Sequence, residues 1–172
     1  MEATKRRDAI VSILSEGNRP VSARKLAALL SVSRQIIVGD VALLRASGID
    51  VIATPKGYVL ESESMTHKFV GQLASHHTAD ETKTELYAVV DNGGEVVDVI
   101  VEHPIYGELR GRLTISSRYD ADQFIEKIEN EQANLLSELT DGVHLHTIGC
   151  ADKKTFERIK KELDTLGFLY KN

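Results

Sequence analysis

One cysteine in 172 residues, Cys150, rules out a disulfide within the chain. It fits a buried free thiol in a reducing compartment. There is no tryptophan, and no apolar run approaches the roughly 20 residues that a membrane span needs. The opening stretch, Met1-Glu-Ala-Thr-Lys-Arg-Arg-Asp8, has neither the apolar segment nor the small-residue cleavage site of a secretory signal, which places the protein in the cytoplasm. No nucleophile motif, P-loop or dinucleotide fingerprint is present, and this weighs against an enzyme. What remains is an ordinary globular composition, 42% apolar, with length enough for two small domains.

Charge divides the chain. Residues 1–60 hold nine Lys/Arg against five Asp/Glu, whereas the formal net charge of the whole is -5. A basic end on an acidic protein points to a polyanion met by that end alone. Its pattern predicts a helix over Thr4–Ser15 carrying Ile10, Ile13 and Leu14 on one face. A short helix capped by Ser22 follows, with Leu26, Leu29 and Leu30 inward, and then a third, capped by Ser33, over Arg34–Ala46 with Ile37, Val41 and Leu44 inward. Two short strands around Pro55-Lys-Gly57 read as a wing. A winged helix-turn-helix places its third helix in the major groove, so Ser33, Arg34 and Gln35 are expected at bases or phosphates. Lys56 at the wing tip, with Arg24, Lys25 and Arg45, is expected at the backbone. The competing reading is a three-helix module for protein contact. Gly39, inside the third helix, costs about 1 kcal/mol relative to alanine.

A polar connector, Glu61–Met65, leads into a mixed α+β domain, so that domains are expected at residues 1–62 and 63–172. The pattern there predicts a helix over Thr66–His77 in which Val70 and Leu73 share a face with His77 rather than His76. Strands are expected at Glu85–Asp91 and Glu95–Glu102, joined by an Asn92-Gly-Gly94 hairpin, with a third at Glu108–Ile115. An Asp120/Gln123 capping box, a helix bearing Phe124, Ile125 and Ile128, and a second helical stretch to about Leu139 come next. A strand at Val143–Ile148 and a helix over Lys153–Leu166 complete the domain.

His144-Leu-His146 carries the clearest chemistry, because residues two apart on a strand share a face about 7 Å apart. With His77 and Glu85 they make a His/His/His/Glu set, which suits zinc, nickel, cobalt or iron(II). Taken alone, a His-X-His pair is more often structural or on the surface. Between these elements, His103, Tyr106, Arg110 and Arg112 are suited to an aromatic acid, with imidazole and guanidinium for the carboxylate and a ring for the apolar face. The simpler reading pairs both arginines with nearby acids.

Taken together, Val32-Ser-Arg-Gln-Ile-Ile-Val38, Asp40-Val-Ala-Leu-Leu-Arg45, His77 with Glu85, Glu102-His-Pro-Ile-Tyr-Gly107 and His144-Leu-His146 resemble the niacin-responsive repressors of NAD biosynthesis and uptake. These join a winged helix-turn-helix to a three-histidine (3H) domain, and the resemblance spans essentially the whole chain. It implies a dimeric repressor that binds operator DNA more tightly with nicotinic acid, and a metal held by His77, Glu85, His144 and His146. At Gly39 the family usually has a larger polar residue. A metal-dependent hydrolase and a pure metal sensor are the alternatives from other classes.

Overall fold

The computed structural model describes residues 2–17, 19–61 and 67–171. It divides the chain into two compact units, Met1–Met65 and Thr66–Asn172. Of the polar connector only Glu61 is among the described residues, and Thr66 also lies outside them.

The first unit holds α1 (Ala3–Glu16), α2 (Ala23–Leu29) and α3 (Arg34–Ala46). Serine hydroxyls set both later starts: Ser22 Oγ accepts from the Lys25 N–H at 3.1 Å and Ser33 Oγ from the Ile36 N–H at 3.3 Å. Each satisfies a donor left without a partner in a first helical turn. Ile10, Leu14, Leu26, Leu30, Ile37, Val41 and Leu44 close one apolar core with Val51. Leu29 points outward instead, 57% exposed, since a two-turn helix buries only the single stripe that Leu26 and Leu30 occupy. Strands β1 (Val51–Thr54) and β2 (Gly57–Leu60) form the wing, in register from Val51↔Leu60 to Thr54↔Gly57. Val21 and Tyr58 exchange backbone hydrogen bonds of 2.9 Å, which docks the wing against the segment before α2. At Gly57, with φ of 135°, any Cβ would lie 2.5 Å from the Val21 backbone, so this approach requires glycine.

The second unit runs β3 (Phe69–His76), α4 (Thr82–Asp91), β4 (Glu95–His103), β5 (Gly107–Ile115), α5 (Arg118–Asn130), β6 (Val143–Cys150) and α6 (Lys153–Thr165). Its sheet has the order β3-β6-β4-β5, antiparallel throughout. Leu73, Val96, Ile115 and Ile148 of the sheet bury against Leu86 and Val89 of α4 and Phe156, Ile159 and Leu163 of α6.

Five expectations are corrected here. The helix expected over Thr66–His77 is a strand across its described residues 69–76: β3 pairs with β6 from Phe69↔Cys150 to His76↔Val143, and Val70 is exposed. The spacing of Leu73 and His77 fits a helical turn and two strand repeats equally, and pairing with an eight-residue partner strand decides between them. Glu85–Asp91 is helix, not strand. Thr78 and Glu81 make a capping box in which the Thr78 N–H donates to Glu81 Oε2 at 2.8 Å, starting a 3-10 turn at Ala79–Glu81 that runs into α4. Asn92-Gly-Gly94 is therefore a helix terminus, where the N–H of Gly93 donates to Val90 O at 3.1 Å and that of Gly94 to Val89 O at 3.0 Å. Finally, α5 is capped by Ser117, and Asp120 reaches back to the Ser116 N–H at 3.0 Å, one turn before the predicted box. The second stretch reduces to a 3-10 turn at Leu136–Thr140.

Candidate functional site

On β6, His144 and His146 face the helices, in step with Ile148. Opposite them on β3, Ser75 pairs with His144 and Leu73 with His146, and His77 follows at the strand's end. Glu85 enters from α4, whose inward positions Thr82, Glu85, Leu86 and Val89 follow the helical repeat. All four site residues are buried, Glu85 completely. One carboxylate oxygen, Glu85 Oε1, lies 2.9 Å from His77 Nε2, 3.3 Å from His144 Nε2 and 2.8 Å from His146 Nε2.

Backbone carbonyls fix the three rings. Nδ1 of His77 lies 2.8 Å from Thr78 O, that of His144 2.8 Å from Gly142 O, and that of His146 2.7 Å from Asp98 O. Each Nδ1–H donates to its carbonyl, so every Nε2 lone pair is directed at the same point. Local sequence builds these acceptors. Asp141 and Gly142 are both left-handed (φ 51° and 89°), and a Cβ on Gly142 would sit 2.4 Å from His77 O. A register shift in β4 between Val96 and Asp98 accompanies the Asp98 contact, and Asp98 Oδ1 also accepts from the Thr147 N–H at 2.9 Å. Phe168 walls the ring of His77, centroids 5.2 Å apart.

Burial opposes charge on His77 and His146, yet hydrogen bonding and attraction to Glu85 outweigh it and hold both imidazoles above their ordinary pKa. Burial would likewise raise Glu85. Attraction to His146 and hydrogen bonds from His144, His146 and His77 keep its carboxyl well below the usual carboxylate range. With Nδ1–H committed to carbonyls, each neutral Nε2 lone pair faces a carboxylate lone pair. That repulsion is relieved only by a proton or a cation between them. Ligand atoms of His77, Glu85 and His144 lie within 4.8 Å of one another. Three imidazole nitrogens and a carboxylate, with second nitrogens already oriented, fit a divalent transition ion.

The structure thus brings His77, Glu85, His144 and His146 together, and it does not bring the effector candidates to them. Val99 pairs with both His146 and Gly111, which puts Gly111 on the histidine face and its neighbours Arg110 and Arg112 on the other. Arg110 lies near Asp98 Oδ2 (3.7 Å) and Glu108 Oε2 (3.9 Å). His103 closes the β4–β5 turn, its Nδ1 accepting from the N–H groups of Ile105 (3.1 Å) and Tyr106 (3.2 Å), and Tyr106 is exposed.

In the first unit, Ser33, Arg34 and Gln35 are exposed at the start of α3, as are Arg24 and Lys25 on α2 and Lys56 on the wing. Arg45 has an internal role: its Nε donates to Val51 O at 2.7 Å, tying α3 to β1. Sequence reasoning passed over Arg6, whose Nε and Nη2 grip Asp40 of α3 at 2.5 and 3.2 Å. It also passed over Asp98, although an acid inside Val96-Val-Asp-Val-Ile-Val101 interrupts an apolar strand, and over the buried hydroxyls of Ser75 and Thr82.

Comparison with known proteins matches residues 6–59 to an HTH domain and residues 70–172 to the 3H domain. The probable transcription repressor NiaR of Thermotoga maritima is 48% identical over 161 residues, covering 93% of this chain and 90% of that one. The transcription repressor NadR of Bacillus subtilis is 38% identical over 169 residues, covering 97% and 94%. These matches identify a regulator rather than an enzyme. An HTH domain followed by a 3H domain, with relatives 48% and 38% identical over nearly the whole length, shows the family: the chain belongs to the 3H-domain family of transcription repressors.

Proposed function

We propose that the protein is a cytoplasmic, homodimeric repressor of genes for NAD biosynthesis or niacin uptake, with nicotinic acid as co-repressor and a divalent transition metal in its second unit. The names of its relatives support a transcription repressor, and the resemblance in its motifs supports the rest. Operator DNA would be read by Arg34 and Gln35 at the exposed start of α3, with Ser33, Arg24, Lys25 and Lys56 on phosphates. The observation that carries the metal is the tethering of all three Nδ1 atoms to backbone carbonyls around one carboxylate oxygen. His77, Glu85, His144 and His146 would hold the ion, which supplies a Lewis-acidic centre for a nitrogen or oxygen donor of the effector. The chain's own part is to keep that centre dry and its donors fixed, so that effector binding stabilises one conformation of the unit.

Calorimetry on the metal-loaded protein tests this, with nicotinamide and a chelated sample as controls. Selective, metal-dependent binding of nicotinic acid is expected. Absence of binding by a folded, loaded protein overturns the niacin reading. A second reading, in which the ion alone changes operator affinity, is favoured by the completeness of the four-donor set within one unit. Metal-dependent operator binding without any organic ligand distinguishes it.

A further inference from the structure

Polar atoms are left over around the cluster. The Oγ of Ser75, the Oγ1 of Thr82 and the second oxygen of Glu85, Oε2, are all buried and have no hydrogen-bond partner. Ser75 is completely inaccessible and Thr82 is 7% exposed. Both flank the site. Ser75 stands directly across from His144 in the β3–β6 ladder, a spacing of roughly 4.5–5.5 Å between Cβ atoms. Thr82 lies one helical turn before Glu85 on the same buried face of α4, at roughly 5–6 Å. In these positions alanine and valine would fill the space without stranding a hydroxyl, so a hydroxyl kept there for stability alone is unexpected.

Charge narrows what they would meet. Three neutral imidazoles, one carboxylate and a divalent ion leave the buried centre with one excess positive charge, which a monoanion cancels and a neutral molecule does not. The arginines of β5, the obvious carboxylate partners in the sequence, are on the other face of the sheet. We propose that the hydroxyls of Ser75 and Thr82 recognise the carboxylate of a small monoanionic effector bound at the His77/Glu85/His144/His146 centre. They donate to it without adding charge, and the centre thereby discriminates against the corresponding uncharged amide. This inference rests on the metal and nicotinic-acid reading given above.

The test uses full-length, nickel-loaded Ser75→Ala, Thr82→Val and the double variant. Measured are nickel affinity by chelator competition, thermal midpoint, and nicotinate and nicotinamide binding by calorimetry, with Arg110→Ala alongside. Each hydroxyl variant is expected to lose about 10-fold or more in nicotinate affinity, with nickel affinity within about threefold of the wild type and a midpoint unchanged or raised. Unchanged nicotinate affinity in the double variant, or a larger loss in Arg110→Ala, overturns the assignment and leaves the co-repressor reading standing. A fall in both midpoint and nickel affinity makes the hydroxyls structural, and also overturns it. If the wild-type protein binds no nicotinate, the co-repressor reading fails and takes this inference with it.

Discussion

In the first unit the buried carboxylate of Asp40 is held by two nitrogens of Arg6, whereas in the second Glu85 shares one oxygen among three imidazoles and leaves the other without a partner. Asp40 and Arg6 are complete as they stand, and what they secure is the seating of α3 on α1. The polar groups that would meet DNA are outside, on the exposed start of that helix. Glu85, Ser75 and Thr82 are inside and incomplete, and leaving such groups unsatisfied costs roughly 1–3 kcal/mol each. A unit that displays its function can be fully satisfied in isolation. A unit that binds in its core is stabilised by its ligand in proportion to RT ln(1 + [L]/Kd).

Five changes would break or sharpen this contrast. The largest effect is expected for His146→Ala, which should weaken nickel or zinc binding by more than about 100-fold and abolish any metal-induced rise in the thermal midpoint. A retained rise would mean that the cluster is not the site. Gly142→Ala forces an alanine into a left-handed conformation against His77 O, costing about 1–3 kcal/mol from backbone strain, and chelator competition should show weaker metal binding in the same variant. Third, Arg6→Met should lower the denaturation midpoint of the first unit by leaving the buried Asp40 with only the 3.8 Å contact to Arg7 Nη1, and Arg6→Met with Asp40→Leu should recover much of it. No recovery would show that the pair does more than seat α3.

The fourth change is pH. In the metal-free protein, the raised pKa values of His77 and His146 contribute stability that is full below about 6.5 and is lost as pH rises through their folded values. The lowered Glu85 contributes stability that is present above about 4.3 and is lost as pH falls through its folded value. Metal binding displaces the imidazole protons, so loaded stability should rise over the same window in which metal-free stability falls. Thermal midpoints from pH 6 to 8, with and without zinc, would show the two curves diverging. Parallel curves would contradict it. The smallest effect is expected for Ser22→Ala, a lost helix cap worth about 1 kcal/mol, readable in urea denaturation, with operator affinity little changed in the folded protein.

How far the sequence is legible differs between the units for a physical reason. Local signals decide the first: a serine cap, an aliphatic stripe and a Pro-Lys-Gly turn each suffice for the neighbouring element, and only Leu29 escapes them. In the second, the local pattern exchanges the classes of β3 and α4, because Val70, Leu73 and His77 suit a helical turn, and Leu86-Tyr-Ala-Val-Val90 is rich in strand formers. What overrode them was pairing with β6, more than 60 residues away along the chain, and a Thr78/Glu81 box that the histidine pattern obscured. The four metal candidates nevertheless converge. His77 lies an even number of residues from Leu73 and four along, which keeps it inward under either period, and Glu85 is inward on the helix it actually occupies. The separation of Arg110 and Arg112 from the histidines was not legible, since it depends on strand order and register.

The contact between Phe168 and His77 bears on how fast an ion would exchange at the proposed centre. The N–H of His76 donates to Phe168 O at 2.7 Å and that of Tyr170 to Ala74 O at 2.9 Å, so a few residues after α6 zip onto the outer edge of β3. Fraying of that short zipper would move Phe168 off the imidazole. For an ion held there as proposed, residence time would follow this local fraying, and shortening the zipper would make the centre quick to load and quick to empty without changing any of the four donors.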